Sequence, residues 1–360
     1  MRIDTLRIAH LRSLADVSMS LAPGVNLFTG ANGAGKTSVL EAAYLLSHAG
    51  SFRAGSRENL ISRGAAGFSV FAEVSLASGA HHRLGFGKEG GKWLARVDGA
   101  AASSFGALVQ HAAVVCFEPG SHALIAGPSD ERRRFLDWGV FHVEHDFLLA
   151  WRRYQRALKQ RNSLLRQGGS VDFSLLEPWE AELAQSGQAI DAHRTSYVGQ
   201  LRLHLARYAA ALLPELGPVE LAYRRGWPDE LSLDEALRAR RERDLGRGHT
   251  TVGCHRADWS IHFEGAPLRE HLSRGQEKLT AMAALLSQAA LFASNRGEWP
   301  VICLDDLASE LDRTHQEWVV GQLLQHQVQV LITGTDVPSA LETAPITMFH
   351  VEQGQVAALL

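Results

Sequence analysis

Several things are scarce in this chain, and each scarcity excludes a class of protein. Cysteine occurs three times, at Cys116, Cys254 and Cys303, too widely spaced for a redox or zinc motif. Cys116 and Cys303 sit in apolar, strand-like runs, so they read as buried small hydrophobes in a reducing compartment. The 17 histidines offer no His-x-x-His or Cys/His spacing convincing enough for a structural metal. No apolar run approaches the roughly 18 residues that span a bilayer. The first eight residues alternate like a strand and lack a signal-peptide core. These absences predict a cytoplasmic chain with no membrane partner. Excess charge of one sign is missing too. The balance of 36 Lys and Arg against 39 Asp and Glu argues against wholesale wrapping of nucleic acid, but leaves local basic patches open. What is plentiful is apolar material, 46% of 360 residues, enough for a full core and for two domains.

The chain is organised around Gly30-Ala31-Asn32-Gly33-Ala34-Gly35-Lys36-Thr37, which fits G-x-x-x-x-G-K-[ST]. Val25 to Thr29 reads as a buried strand before it, and Ser38 to Ser47 as an Ala/Leu-rich helix after it. Such a loop aims backbone N–H groups and a positive helix end at a phosphate. Gly33 and Gly35 permit positive φ or close approach, Lys36 would neutralise β- and γ-phosphates, and Thr37 would ligate Mg²⁺.

Residues 1–29 predict two or three strands, with Pro23-Gly24 as a turn. Gly50-Ser51-Phe52-Arg53-Ala54-Gly55-Ser56-Arg57 predicts a loop whose two arginines stand at the edge of a nucleotide cleft. Period-two stretches at Phe68 to Leu76 and Lys92 to Val97 predict antiparallel strands, and Ala113 to Phe117 a further strand. Near residue 129 the character changes. Ser129-Asp130-Glu131 could cap a helix, and Arg132 to Arg166 is long, helical and basic on one side. Its cations include Arg132, Arg133, Arg134, Arg152, Arg153, Arg156, Lys159, Arg161 and Arg166, as a phosphate-binding surface requires. No base-reading motif is present, so backbone and shape readout is expected. Beyond a Gly168-Gly169 break, residues 174–213 predict more helix, with Pro178 at a start or kink. Val219 to Tyr223 predicts a strand and Leu231 to Arg243 a short helix. Strand patterning returns from Thr251 to Phe263, and an Ala/Leu-rich helix runs to Ser294. Strands follow at Val301 to Asp305 and Val328 to Thr333, then a closing hairpin of Thr347 to Val351 with Gln355 to Ala357. The expected organisation is a discontinuous head, 1–128 with 246–360, and an inserted, mostly helical subdomain, 129–245.

Four apolar residues ending in Asp305 place a carboxylate at a strand's C-terminal end, where Asp305 would hold Mg²⁺ and Asp306 would orient or deprotonate water. Leu272-Ser273-Arg274-Gly275-Gln276 stands ahead of a helix, where Ser273 and Gly275 would make a second anion site.

Together, Gly30–Thr37, Leu272–Gln276, Leu304-Asp305-Asp306 and Ser309-Glu310-Leu311-Asp312 resemble the Walker A, signature, Walker B and D-loop segments of the ABC ATPase superfamily, in its chromosome-maintenance and repair branch. Within that branch the chain is similar over essentially its full length to the bacterial RecF recombination and repair family. The segments that carry this are His10-Leu11-Arg12-Ser13-Leu14, Gly50-Ser51-Phe52-Arg53, Arg132-Arg133-Arg134-Phe135-Leu136-Asp137, Lys159-Gln160-Arg161-Asn162 and Cys254-His255-Arg256-Ala257-Asp258.

The resemblance implies an α/β fold: an ABC-type P-loop ATPase head with a mixed sheet and an antiparallel subdomain, plus the helical insert. It implies ATP and Mg²⁺, bound by Gly30 to Ser38 and Arg12 of one subunit and by Ser273, Gly275 and Gln276 of another. Thr37 and Asp305 would hold the metal, and Lys36, Asp305, Asp306 and Ser273 would form the catalytic set. Further implications are a weak, DNA-stimulated ATPase, an ATP-dependent homodimer on single-strand/double-strand DNA junctions, work with RecR and RecO in loading RecA, and association with the nucleoid. Departures from the wider superfamily predict a slow switch. Arg274 replaces the commoner signature glycine, and Asp306 replaces the usual glutamate. Thr333-Gly334-Thr335-Asp336 stands where a switch histidine belongs, and Gln110 is the nearest glutamine-loop candidate. Two other readings stay open: an ABC-type subunit driving a protein or membrane partner, and a nucleotide-regulated scaffold with negligible hydrolysis.

Overall fold

The structure is a computed structural model in which residues 1–53, 57–167 and 172–359 are described. Residues 54–56, the side chain of Arg57 and the expected Gly168-Gly169 break lie outside the described residues.

The chain forms two compact units, Met1–His122 with Arg274–Leu360, and Ala123–Ser273. The first part of the first unit runs β1 (Arg2–Leu11), β2 (Leu14–Ser20), β3 (Val25–Thr29) and α1 (Lys36–His48). It continues through β4 (Phe68–Ser75), β5 (His81–Glu89), β6 (Lys92–Val97), β7 (Ala100–Ala101), α2 (Phe105–Val109) and β8 (Val114–Phe117). The second unit holds α3 (Ala123–Ala126), α4 (Ser129–Val143), α5 (Phe147–Leu165), α6 (Glu177–Leu212), β9 (Val219–Arg224), α7 (Leu233–Ala239), α8 (Arg241–Arg247) and β10 (Asp258–Phe263). The chain then returns through α9 (Arg274–Arg296), β11 (Val301–Leu304), α10 (Leu307–Glu310), α11 (Arg313–Gln325), β12 (Val330–Gly334), β13 (Ile346–Glu352) and β14 (Gln355–Leu359).

Two six-stranded sheets build the first unit. One is antiparallel, in the order β2-β1-β4-β5-β6-β7; the other is mixed, in the order β14-β13-β3-β12-β11-β8. In the mixed sheet only β14 runs antiparallel to its neighbour. Helix α1 is buried nearly all round, as a helix enclosed in a core is rather than one with a wet face. Its Val39, Leu40, Ala42, Ala43, Leu45 and Leu46 are buried with Leu6, Ile8 and Leu84 of the antiparallel sheet and with Phe28, Val114 and Leu331 of the mixed sheet. The phosphate-loop helix is therefore fixed from both sides.

In the second unit, α5 packs along α6, a continuous helix of 36 residues and about 54 Å. Pro178 sits in the first turn of α6, where its missing N–H costs no hydrogen bond. Apolar positions Leu183, Ile190, Tyr197, Val198, Leu201, Leu205 and Leu212 hold the buried stripe. Gly187 permits the closest approach: a Cβ there would stand 2.4 Å from Leu233 Cδ2 and 3.1 Å from Tyr154 Cε2.

The structure differs from the sequence expectations at identifiable places. Residues 246–273, expected in the head, pack with the helical unit because β10 pairs along its length with β9. The long basic helix is two helices, separated at residues 144–146. Ser129 does not cap α4; it is the helix's first residue, and its Oγ accepts from Arg133 Nη1 at 2.8 Å. The expected helix from Leu231 to Arg243 is likewise split into α7 and α8. Only Asp258–Phe263 of the expected 251–263 strand is extended.

The basic face is the largest correction. Arg132 forks onto Asp258 at 2.6 and 3.0 Å, Arg153 forks onto Glu182 at 2.6 and 2.9 Å, and Arg134 pairs with Asp130 and Glu131. Arg161 is fully buried. Its guanidinium donates to Glu180 Oε1 at 3.0 and 3.1 Å, to Asp244 Oδ2 at 2.7 Å and to Thr250 Oγ1 at 2.9 Å. Arg241 shares the carboxylate of Glu180, and Asn162 Oδ1 accepts from the Thr250 backbone N–H at 2.8 Å. Much of the charge that read as a DNA surface thus ties α5 to α6 and to the segment after α8.

A buried guanidinium with two carboxylates resists removal of one partner far more than replacement of the whole set. Arg161→Met should leave Asp244 uncompensated and cost about 3–5 kcal/mol. A urea-unfolding midpoint displaced by less than about 1 kcal/mol equivalent would show that the knot contributes little.

Candidate nucleotide-binding site

Strand order sets up the site. In the mixed sheet β12 lies between the phosphate-loop strand β3 and the carboxylate-bearing strand β11, in register as Ile332↔Leu27 and Leu304↔Ile332. The C-terminal ends of all three strands therefore open on one place. A cleft of about 530 Å³ occupies it, lined by Arg12, Ser13, Asn32, Gly33, Gly35, Lys36, Thr37, Ser38, Arg53, Asn59, Ile61, Asp305, Asp306 and Thr333.

The loop's glycines are used for different reasons. Gly30 has φ 145°, and a Cβ there would stand 2.1 Å from the carbonyl oxygen of Val351. Gly35 has φ 117° and lies against Ser13 and Leu14, with 3.0 Å available to each. Gly35 forms the N-cap of α1 with no side-chain cap, so no side chain covers the helix end, and the Ser38 N–H turns back to the Gly35 carbonyl at 2.9 Å. Lys36 Nζ donates to the carbonyls of Gly30 at 2.7 Å and Ala31 at 3.0 Å, which holds the ammonium over the loop.

Asp305 is the electrostatic centre. Thr37 Oγ1 donates to Asp305 Oδ1 at 2.8 Å, and Thr333 Oγ1 donates to the same oxygen at 2.6 Å. Burial pushes the Asp305 pKa above the ordinary carboxylate value; the two hydroxyls and the positive charge of Arg53 pull it back, and neighbouring Asp306 pushes it up again. The Asp306 N–H donates to Thr333 Oγ1 at 2.9 Å, and Asp306 is held in the left-handed region at φ 52°. Thr333 thus fixes both carboxylate residues at once.

The cleft's far wall is built on Glu41, a fully buried carboxylate of α1. Arg12, itself at φ 57°, forks onto it at 3.0 and 2.8 Å and donates a third bond to the Asn59 carbonyl. Ser51 Oγ donates to Glu41 as well, and Arg53 Nη1 lies 3.9 Å away.

The predicted site residues are thus largely assembled: Arg12, Asn32, Gly33, Gly35, Lys36, Thr37, Ser38, Asp305 and Asp306 line one cleft, and Gly30, Ala31 and Ala34 shape its loop. Ser273, Gly275 and Gln276 are not among the lining residues. Ser273 and Gly275 are exposed, and α9 begins at Arg274, so Gly275 lies inside its first turn rather than ahead of it. Gln110 is exposed at the end of α2, bonded to His111. The end of β8 carries Glu118 instead, whose pKa burial raises, with the charge of Asp305 adding to the effect. Sequence reasoning missed Thr333, Glu41, Ser13 and Asn59. A threonine at a strand's end, one strand away from an acidic pair, was the available signal for the first.

Chemically, the arrangement can cradle phosphates on backbone N–H groups and Lys36. It can also hold a hard cation between the Thr37 hydroxyl and the Asp305 carboxylate. Elsewhere among the described residues no group of three or more His, Cys, Asp or Glu is placed to hold a metal, and no helix is long and apolar enough to cross a membrane.

Comparison with known proteins bears on the same site. The family model for the RecF/RecN/SMC N terminal domain matches residues 2–356. The DNA replication and repair protein RecF of Stenotrophomonas maltophilia is 48% identical, with all of both chains covered. The chain belongs to the RecF family. The RecF of Xanthomonas euvesicatoria is 49% identical over 99% of this chain and 98% of its own, and that of Pseudomonas fluorescens 38% identical over 99% and 98%.

Among solved structures, one of the recombination mediator protein RecF-ATP in the RecFOR pathway superposes with a TM-score of 0.90 at 27% identity, covering 99% of this chain and 97% of that one. A RecF-ATPrS structure of the same pathway gives 0.87 at 28% identity, covering 100% and 98%. An SmcHead structure shares the fold alone, with a TM-score of 0.60 at 14% identity over 100% and 98%. The fold is that of RecF and SMC-head ABC-type ATPases, with a helical insertion.

Thr333→Val should remove one of the two hydroxyls that hold Asp305 ionised, raising its pKa further. Only the ionised carboxylate attracts a cation, so Mg²⁺-dependent nucleotide binding should fall as pH falls through that pKa. The fall should begin at higher pH in the variant. Coincident pH profiles in a fluorescent-nucleotide titration would show that Thr333 does not tune Asp305.

Proposed function

We propose that this protein is an ATP-gated DNA-binding switch of gap repair and recombination. It binds MgATP on Gly30 to Ser38 and Arg12, with Thr37 and Asp305 on the metal and Lys36 on the phosphates. ATP then joins two copies, the segment Ser273, Gly275 and Gln276 of each completing the site of the other. The dimer binds single-strand/double-strand DNA junctions without sequence preference and works with RecR and RecO in loading RecA.

The single observation that carries this is the partition of the motifs. The phosphate loop, Asp305 and Asp306 meet in one cleft, whereas Ser273, Arg274 and Gly275 of the signature segment are exposed and contribute nothing to the cleft's lining. An anion-binding segment outside the chain's own cleft has a use if it meets the γ-phosphate held by a second copy. Family membership and the solved relatives described with ATP and with the RecFOR pathway support the same reading.

Hydrolysis is expected to be slow and DNA-stimulated. Asp306 is one methylene shorter than the usual glutamate, and Thr333 occupies the end of β12 where a switch histidine would stand. Asp306→Asn should bind ATP, slow its cleavage and prolong the dimer; single-turnover cleavage at the parent rate would assign water positioning to another group.

The deciding experiment uses Ser273→Arg. Its bulk should block closure while leaving Lys36, Thr37 and Asp305 intact, so the variant should bind ATP as a monomer in sedimentation and show no ATPase at any protein concentration. Mixed with Lys36→Met chains, it should regain partial ATPase, because one composite site of the mixed dimer carries neither defect. A Ser273→Arg protein that dimerises on ATP and hydrolyses normally would end the composite-site reading.

A further inference from the structure

The helical unit contains a second concavity, of about 380 Å³, between α4, α5, α6 and the turn at Cys254-His255. Its floor is hydrogen-bonded and uncharged. His255 Nε2 faces the Thr250 carbonyl at 3.0 Å and must donate to it, so Nδ1 accepts from the buried Tyr154 hydroxyl at 2.8 Å. Burial lowers the His255 pKa to about 4, which keeps the ring neutral.

Charge around the walls is unevenly paired. Arg194 is matched by Asp137, at 2.9 Å from Nε and 2.7 Å from Nη2, and Arg134 by Asp130 and Glu131. Arg133 has no such match. Its Nη1 donates to two neutral acceptors, Ser129 Oγ at 2.8 Å and Ala257 O at 3.0 Å, and no carboxylate pairs with it among the described residues. Arg133 is thus the one lining guanidinium held by neutral acceptors alone, with Asp130 and Asp258 acting on it only from a distance.

The rim supplies a flat surface, since the Trp151 side chain is 36% exposed. Trp151, Gln155 and Lys159 follow one another at four-residue spacing on α5 and share a stripe, with Arg156 beside it. Neither Lys159 nor Arg156 forms an ion pair among the described residues. Cations therefore continue away from the pocket for about 6 Å per four-residue step. A row of that kind matches a chain of phosphates better than a single carboxylate.

We propose that this pocket takes one unpaired nucleotide of a DNA strand. The base stacks on Trp151, its phosphate faces Arg133, and the next phosphates lie along Arg156 and Lys159. Stacking tolerates any base, as a junction-binding protein without base-reading elements requires. The inference rests on the DNA-binding reading above and adds to it a defined site for the single-stranded side of the junction.

The test compares a labelled oligothymidine with a blunt duplex of equal length, on the full chain with ATP, by fluorescence anisotropy. Trp151→Ala, a rim change that removes no buried hydrogen bond, should weaken oligothymidine binding about 5- to 150-fold while duplex affinity stays within about twofold. Arg133→Gln should act in the same direction. Basal ATPase and thermal midpoint of Trp151→Ala should match the parent. An oligonucleotide carrying 5-iododeoxyuridine should photocrosslink the parent protein at Trp151. Equal losses on both DNAs, no loss on oligothymidine, or crosslinks confined to other peptides would overturn the proposal. So would a Trp151→Ala protein that keeps its oligothymidine affinity but no longer binds a partner protein, which would give the pocket to a peptide. A parent protein that binds neither DNA would instead bring down the DNA reading itself.

Discussion

One oxygen atom organises the nucleotide cleft. Asp305 Oδ1 receives the hydroxyls of Thr37 and Thr333, which come from the phosphate-loop helix and from the strand lying between the two motif strands. That single acceptor links three segments separated by 268 and 28 residues in the chain. Burial opposes the carboxylate's charge, and hydrogen bonds of this kind are what allow an ionised group to persist there. With Oδ1 saturated by the protein, the geometry of the acid is set before any cation arrives. Thr333 also receives the N–H of Asp306, so the Asp305 carboxylate and the Asp306 backbone are fixed by one hydroxyl.

The helical unit shows the opposite use of charge. Several of its arginines are turned toward carboxylates on other elements: Arg161 to Glu180 and Asp244, Arg132 to Asp258, Arg194 to Asp137. Several segments that resemble RecF motifs are thereby explained as framework. Asn162 and Thr250 close the knot around Arg161, and His255 is locked by Tyr154. Pairs like these gain little over an apolar core in net stability but penalise any alternative packing that separates them. That penalty adds to the apolar stripe of α6 in fixing the register of the elements they join.

Local chemistry was legible in the sequence, and non-local chemistry was not. The phosphate loop, its strand and its helix are contiguous, and each residue type there has one physical purpose. Asp305 was legible because four apolar residues precede it. Thr333 was hidden, since its role exists only once β12 is inserted between β3 and β11, an arrangement that no short window encodes. The basic stretch was misread for the same reason. The partners of Arg161 and Arg132 lie 19, 83 and 126 residues away, so a count of nearby acids found a surplus that folding partly removes. Strand β5 was not singled out because Gly85 and Gly87 interrupt its alternation, although Leu84 and Phe86 still face the core.

The hairpin of β13 and β14 braces the phosphate loop directly. Gly30 lies against the Val351 carbonyl, the Gly354 N–H donates to the Ala34 carbonyl at 3.2 Å, and Thr29 Oγ1 donates to Phe349 O across 320 residues. In a chain emerging from a ribosome, the loop at 30–37 is therefore made early and supported late. At about 5–20 residues per second, that interval is of the order of tens of seconds. The loop, the helix behind it and most of the antiparallel sheet can collapse in that time, but the backbone that shapes Gly30 is absent. Nucleotide capacity belongs to the finished chain, so a truncated or stalled product retains the motif without the pocket's shape.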